Sequence, residues 1–258
     1  MKPRIVSGRE IPPSPGDLED LAAVAARIGA QLCLARLGEP ITVSTKSAAG
    51  DVVTPVDRAA EEAVREAIHE VRPADSLLGE ELPAHTGTSG FEWVIDPLDG
   101  TTNYTRLIPY FATSVAVRRI SDGAWLAGAV AAPALGSLWS AARGGGAQLR
   151  SPAQRAVLPL QLPATTARLI GTGLSYDPDR RRRQVRELGS VIADYTDMRR
   201  FGAAAVDLCL VAQGSLHAFV EADLAVHDWA AGALIAEEAG ATVYRPGDGD
   251  DAVSAAWV

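Results

Sequence analysis

Residues 93–104 read "WVIDPLDGTTNY". The three bulky apolar residues Trp93, Val94 and Ile95 predict a buried strand. Asp96 and Asp99 follow, placed to point from the strand's end into a common space. Two carboxylates held close repel, and keeping both ionised is costly unless a cation lies between them. Asp-Pro and Asp-Gly are also common turn dipeptides, so the stretch by itself fits a plain turn or a cation-holding strand end. The Thr-Thr-Asn that follows both dipeptides favours the second reading.

Other acids are placed in the same way. "DSLLGEE", residues 75–81, predicts a second short buried strand, ending in Glu80 and Glu81. Glutamates exposed after a strand are commonplace. Asp57 falls in the first turn of a helix predicted over 55–71, with Thr54 as its N-cap and Pro55 at its first position. Asp228 stands where the helix "WAAGALIAEEAG" begins, and an acid at a helix start is favoured by the dipole alone. Each acid has an innocent reading; four at strand ends or helix starts are harder to ascribe to chance. Carboxylate and carbonyl oxygens suit a hard ion such as Mg²⁺. His69, His85, His217 and His227 lack the paired spacing that zinc asks for. His227, beside Asp228, fits a supporting role or simple packing equally.

The bulk properties narrow the function classes. At 258 residues, 47% hydrophobic and 5% aromatic, the chain must build an aliphatic core. A net charge of −8 argues against nucleic acid or an anionic membrane as partner. Cys33 and Cys209 are too few for a disulfide framework or a zinc cluster, and predict buried thiols in a reducing compartment. No run approaches the roughly 18 apolar residues of a membrane span, and the N-terminus lacks the order of a signal peptide. The expectation is a cytoplasmic protein. Lys2 and Lys46 are the only lysines, and no phosphate-binding G-x-x-x-x-G-K-[ST] loop is present. A phosphate in an acidic pocket must then be held by metal, with the "DGTT" backbone adding amide donors if it opens a helix.

Along the chain, residues 1–16 predict an irregular lead-in rich in proline, and 17–37 a helix. "STKSAAGDVVTPVD" predicts a loop and a short strand; "FATSVAVRRI", "WLAGAVAAP" and "GSLWSAAR" are strand-like, the last ending at a turn over Gly144 to Gly146. A break rich in Pro and Gln near 150–163 divides the chain into halves 1–150 and 151–258. The second half alternates: strand "ARLIGTG", helix 178–194, strand "DMRRFG", helix 203–213, strand "SLHAFVEA", the helix after Asp228, and "ATVYRP" as the last strand. That is an α/β pattern. Arg180 to Arg183 predict a solvent-facing run, and "GDGDD" at 247–251 a solvated loop.

"GDVVTPVD", "GEE", "WVIDPLDGTTNY" and "HDWAAGALIAEEAG" together resemble the inositol monophosphatase family of Mg²⁺-dependent, lithium-sensitive phosphatases, over about Lys46 to Val243. The resemblance implies a layered αβαβα sandwich of sugar-phosphatase type, with an α+β N-terminal half and an α/β C-terminal half. It implies two or three Mg²⁺ ions held by Glu80, Asp96, Asp99, the Leu98 carbonyl and Asp228. Asp57, facing Thr101, would orient or deprotonate the attacking water, with Glu80 assisting. Gly100 and Thr101 would face the phosphate. Gly202, Ala203 and Ala204 match a substrate-contacting turn, Glu221 an acid that binds a sugar or inositol hydroxyl, and Asp99 and Asp228 would also border the substrate.

The implied reaction is in-line hydrolysis of a small polyol or sugar phosphate monoester by an activated water, with inositol 1-phosphate first and no phospho-enzyme. Fructose 1,6-bisphosphate and histidinol phosphate are alternative substrates, and a non-catalytic regulator keeping the fold is an alternative of another class. Relatives are commonly homodimers. The chain departs from the family pattern at His227, where tryptophan is usual, and at Ala203, where a hydroxylated residue is usual.

Overall fold

The computed structural model describes residues 13–45, 52–248 and 251–257, together with the backbone of 5–6 and 9–10. The elements of the first part are β1 (Ile5–Val6), β2 (Arg9–Glu10), α1 (Pro15–Ala35), β3 (Ser44–Thr45), β4 (Val52–Val53), α2 (Pro55–Val71), β5 (Ser76–Gly79) and β6 (Phe91–Asp99). There follow α3 (Thr101–Thr105), β7 (Ala112–Arg119), β8 (Trp125–Ala132), β9 (Ser137–Ala142), β10 (Gly146–Arg150) and β11 (Arg155–Val157). The remainder is β12 (Leu169–Thr172), α4 (Pro178–Val191), β13 (Asp197–Arg199), α5 (Ala204–Gln213), β14 (Ala218–Ala222), α6 (Val226–Glu238), β15 (Thr242–Tyr244) and β16 (Ala252–Ala256).

Two large sheets carry the molecule. The first has the order β11-β10-β9-β8-β7-β6-β5, and the second β13-β12-β14-β16-β15. Side chains alternate across a strand, so the first sheet presents two apolar faces. Trp93, Ile95, Val115, Val117 and Ala129 pack against Leu18, Ala22, Ala26, Val64 and Ile68 of α1 and α2. Val94, Ala116, Val130 and Trp139 point the other way, into α5 and α6, and the same cluster reaches Phe219 and Val253 of the second sheet. Burial on both faces is why β8 reads as an unbroken apolar run. Alanine lets the layers approach: a Cβ at Gly128 of β8 would lie 3.0 Å from the Ala231 Cα of α6. The layered α/β architecture expected from the sequence is the one observed.

Several local expectations need correction. β6 does not stop at Ile95 but runs to Asp99, with a break in register between Asp96 and Asp99. Residues 1–16 include a paired β1 and β2, and α1 begins at Pro15. β11 is an edge strand inside the break placed at 150–163, and β10, which ends where that break begins, pairs it to β9; Pro and Gln masked this pairing. "ATVYRP" is not the last strand: β16 follows it and lies between β14 and β15. Its small residues carry little pattern. Lys46 lies outside the described residues, as do positions 249–250 of the loop predicted at 247–251.

Candidate active site

Pro97 has no N–H to give a ladder, so β6 bulges there. The bulge is held from both sides. The Pro97 carbonyl accepts the Thr113 hydroxyl at 2.8 Å and the Cys33 thiol at 3.7 Å. The Leu98 amide donates to Asp96 Oδ1 at 3.0 Å. Past it, Gly100 sits at φ 88°, where a side chain is strained, and the short helix α3 begins. Thr101 Oγ1 lies 2.9 Å from the Leu98 carbonyl and 3.1 Å from Asp57 Oδ1. Its single proton serves one of them at a time.

Asp57 and Asp228 do hold helix starts, and that role is what aims them. Asp57 Oδ2 accepts the Thr54 amide at 2.9 Å and the Thr54 hydroxyl at 2.6 Å. Asp228 Oδ2 accepts the Ala225 amide at 2.7 Å. Both occupy the third helical position and reach back to the N-cap, as Asp17 does on Ser14 in α1. The innocent reading of each acid is true without displacing the functional one.

Glu80 is positioned by residues that the sequence analysis passed over. Glu61, fully buried on α2, accepts the Glu81 amide at 2.7 Å and pairs with Arg65 at 2.7 Å. Arg65 also donates to the carbonyls of Leu82 and Pro83. A Cβ at Gly79 would lie 1.9 Å from Glu61 Oε1, so the glycine of "GEE" is there for close approach. The i,i+4 spacing of Glu61 and Arg65 was the available signal.

The opposite wall comes from the second half of the chain. Asn103 Nδ2 donates to the carbonyls of Tyr110 and Phe201, both at 2.8 Å, tying α3 to the turn at Gly202. The Tyr110 ring stacks on Phe201 at 4.8 Å, and its hydroxyl donates to the buried Asp207 at 2.5 Å. Tyr176 Oη stands 3.0 Å from Thr102 Oγ1, across the mouth of the site. Arg180 is exposed, as predicted, and pairs with Asp223 on the rim at 2.8 Å.

These elements enclose a cavity of about 660 Å³. Glu80, Asp96, Leu98, Asp99, Gly100 and Thr101 lie on its wall; so do Gly202, Ala204, Glu221 and Asp228. Asp57 meets it through Thr101, and Ala203 is buried off the wall. His227 is on the wall, with Nε2 3.6 Å from Asp228 Oδ1 and 3.8 Å from Glu80 Oε1.

Burial pushes the carboxyls of Asp96 and Asp99 well above the usual carboxylate range, and neighbouring negative charge adds to it. For Asp96 those neighbours are Glu80, Asp99 and Asp228. Burial likewise pushes Asp57 up to about 6 and Glu221 up to about 8. Asp96 and Asp99, with Glu80 and Asp228 beside them, offer the carboxylate oxygens that suit a hard divalent cation, and among the described residues no histidine–cysteine set competes. Among the described residues, no three such side chains already form a closed ligand group. Each of Asp96, Asp99 and Asp228 instead commits an oxygen to a backbone amide.

Known proteins resemble this chain in sequence and in fold. The inositol-1-monophosphatase of Mycobacterium leprae is 42% identical over 212 residues, 79% of this chain and 72% of that one. A Salmonella typhimurium protein named Nus factor SuhB is 35% identical over 226 residues, 86% of this chain and 83% of that one. The crystal structure of the extragenic suppressor protein suhB from Bartonella henselae superposes with a TM-score of 0.81 at 32% identity, covering 93% of each chain. The class these likenesses define is that of phosphoric monoester hydrolases, and this chain is such an enzyme. Within that class it belongs to the inositol monophosphatase family, whose model matches residues 17–256. Among the described residues no helix is long and apolar enough to cross a membrane.

Proposed function

We propose that this enzyme hydrolyses a small polyol or sugar phosphate monoester in a Mg²⁺-dependent reaction, with inositol 1-phosphate the first candidate. The observation that carries the reading is one cavity bordered by Glu80, Asp96, Asp99 and Asp228, with two of the four deeply buried. Buried carboxylates facing each other are stable as anions only beside a cation. Glu80, Asp96, Asp99 and the Leu98 carbonyl would hold the first of two or three ions, and Asp228 would complete the second. When bound, the ions supply positive charge to the phosphate and leaving oxygen, and lower the pKa of water.

The chain's own groups do the rest. Asp57 takes up a proton near neutral pH because burial has raised its pKa to about 6. Thr101, within reach of both Asp57 and the Leu98 carbonyl, orients the attacking water and passes its proton to Asp57, with Glu80 assisting. The Gly100–Thr101 turn borders the phosphate. Gly202 and Ala204 shape the alcohol side, with Ala203 buried behind them, and Glu221 accepts a hydroxyl of the alcohol. The relative named inositol-1-monophosphatase supports this alcohol. The reading also makes the protein cytoplasmic and homodimeric, the latter checked by light scattering.

A regulator that keeps the fold without turnover is the competing reading, supported by the relative named as a Nus factor. Phosphate release separates the two. The panel contains inositol 1-phosphate, fructose 1,6-bisphosphate and histidinol phosphate, each with and without Mg²⁺, and with lithium as inhibitor. Release from inositol 1-phosphate that requires Mg²⁺ is expected. A folded protein that releases phosphate from none of the three leaves only the regulator.

A further inference from the structure

Two side chains of opposite charge type, Glu221 and Arg200, border the cavity, and each lies close against a glycine. A Cβ at Gly173 would lie 1.9 Å from the Glu221 carboxyl, and one at Gly202 would lie 2.6 Å from Arg200 Nη1. Gly202 also sits at φ 91°, so its turn tolerates a side chain on neither ground. Both Glu221 and Arg200 border the cavity, yet among the described residues they form no ion pair with each other. Burial pushes Glu221 up, and the Arg200 charge pulls against it. The other arginine on the wall, Arg180, is already taken by Asp223.

A guanidinium only donates hydrogen bonds, whereas the Glu221 carboxyl keeps an oxygen that accepts them in either protonation state. A ring hydroxyl does both, so two hydroxyls on adjacent carbons can bridge the gap, one donating to Glu221 and one accepting from Arg200. We infer that Arg200 is a specificity-determining residue, reading together with Glu221 a vicinal diol on the alcohol half of the substrate. The assignment rests on the phosphatase reading above and narrows it to polyol phosphates with adjacent free hydroxyls.

The test compares two esters: inositol 1-phosphate, rich in adjacent hydroxyls, and glycerol 2-phosphate, whose two free hydroxyls are not on adjacent carbons. Steady-state kinetics are measured for the wild type, Arg200→Gln, Arg200→Lys, Glu221→Gln and the Arg200→Gln/Glu221→Gln double variant. Arg200→Gln should lower the ratio of the two kcat/KM values by about tenfold to a hundredfold, mainly through the KM for inositol 1-phosphate. Arg200→Lys should recover part of that loss, and the double variant should lose less than the product of the single losses. Equal losses on both esters, or strictly multiplicative losses, overturn the assignment while leaving the phosphatase reading intact. A wild type that turns over neither ester overturns both.

Discussion

Asp99 and Ala205 lie 106 residues apart in the chain, and the Asp99 carboxylate accepts the Ala205 amide at 2.8 Å. The N-cap of α5 is Ala203, which has no side-chain oxygen to offer, so Asp99 of β6 caps that helix from outside. A carboxylate there also meets the positive end of the helix dipole. One residue thus joins the carboxylate-bearing strand β6 to the helix that follows the Gly202 turn.

Asp99→Asn separates these duties. The amide oxygen can still accept from Ala205, so the melting temperature should move by only a few degrees, while the charge toward the cation is lost. Turnover should fall by about 10²-fold to 10³-fold or more. Phosphate release and a thermal melt on the same preparation check this, and an unaltered rate rules out Asp99 as a ligand.

On the proposed reading Mg²⁺ binds the native cluster and not the dispersed acids of the unfolded chain, so it should stabilise the fold. At a hundred times its Kd the gain is about 2.7 kcal/mol. Differential scanning calorimetry should show a rise in Tm with Mg²⁺ for the wild type and little rise for Asp99→Asn. Chelation should stop turnover and addition of Mg²⁺ restore it; a Tm blind to Mg²⁺ would count against the site.

Glu61 is the hidden support of Glu80. Glu61→Ala leaves the Glu81 amide without its acceptor and Arg65 without its partner. Removing one member of a buried pair costs about 3–5 kcal/mol. Urea titration should show that loss, and a higher Mg²⁺ requirement should accompany it. Glu61→Gln, which keeps an acceptor for Glu81, should retain more of both. Wild-type stability in Glu61→Ala would mean the clamp is idle.

Asp207 gives a pH signature of its own, at a residue outside the proposed set of metal ligands. Burial pushes its carboxyl up to about 7, against the Tyr110 hydrogen bond and the Arg200 charge, which pull it down. The native state therefore keeps this proton from about pH 4, where the unfolded chain loses it, up to about 7. Over that window the group's contribution to stability falls as pH rises, by at most about 1.4 kcal/mol per pH unit. Asp207→Asn should flatten the fall in stability between pH 5 and pH 7. An unchanged slope would place the titration elsewhere.

Much of the fold was legible because its signals are local. Thr54, Pro55 and Asp57 announce the start of α2 within four residues, and the observed helix begins at Pro55. The apolar run of β8 is buried along its whole length, as its composition implies. β10, β11 and β16 were not legible: they are short and rich in small or polar residues, and partners already in place decide their pairing. The acids of the site could be named for a similar reason, since strand ends and helix starts are marked in sequence. Their mutual arrangement could not.

By itself, then, the order of residues determined which segments coil or extend and which carboxylates stand at their ends, because hydrogen-bonding pattern and side-chain period act over a few neighbours. Only the stacking of two sheets decided that Asp99 would cap α5, that Glu61 would hold Glu81, and that Arg200 would stand near Glu221 without pairing to it. Those relations join positions about 20 to more than 100 residues apart. They exist only after the apolar faces have been buried against each other, and burial is also what gives the acids their altered proton affinity.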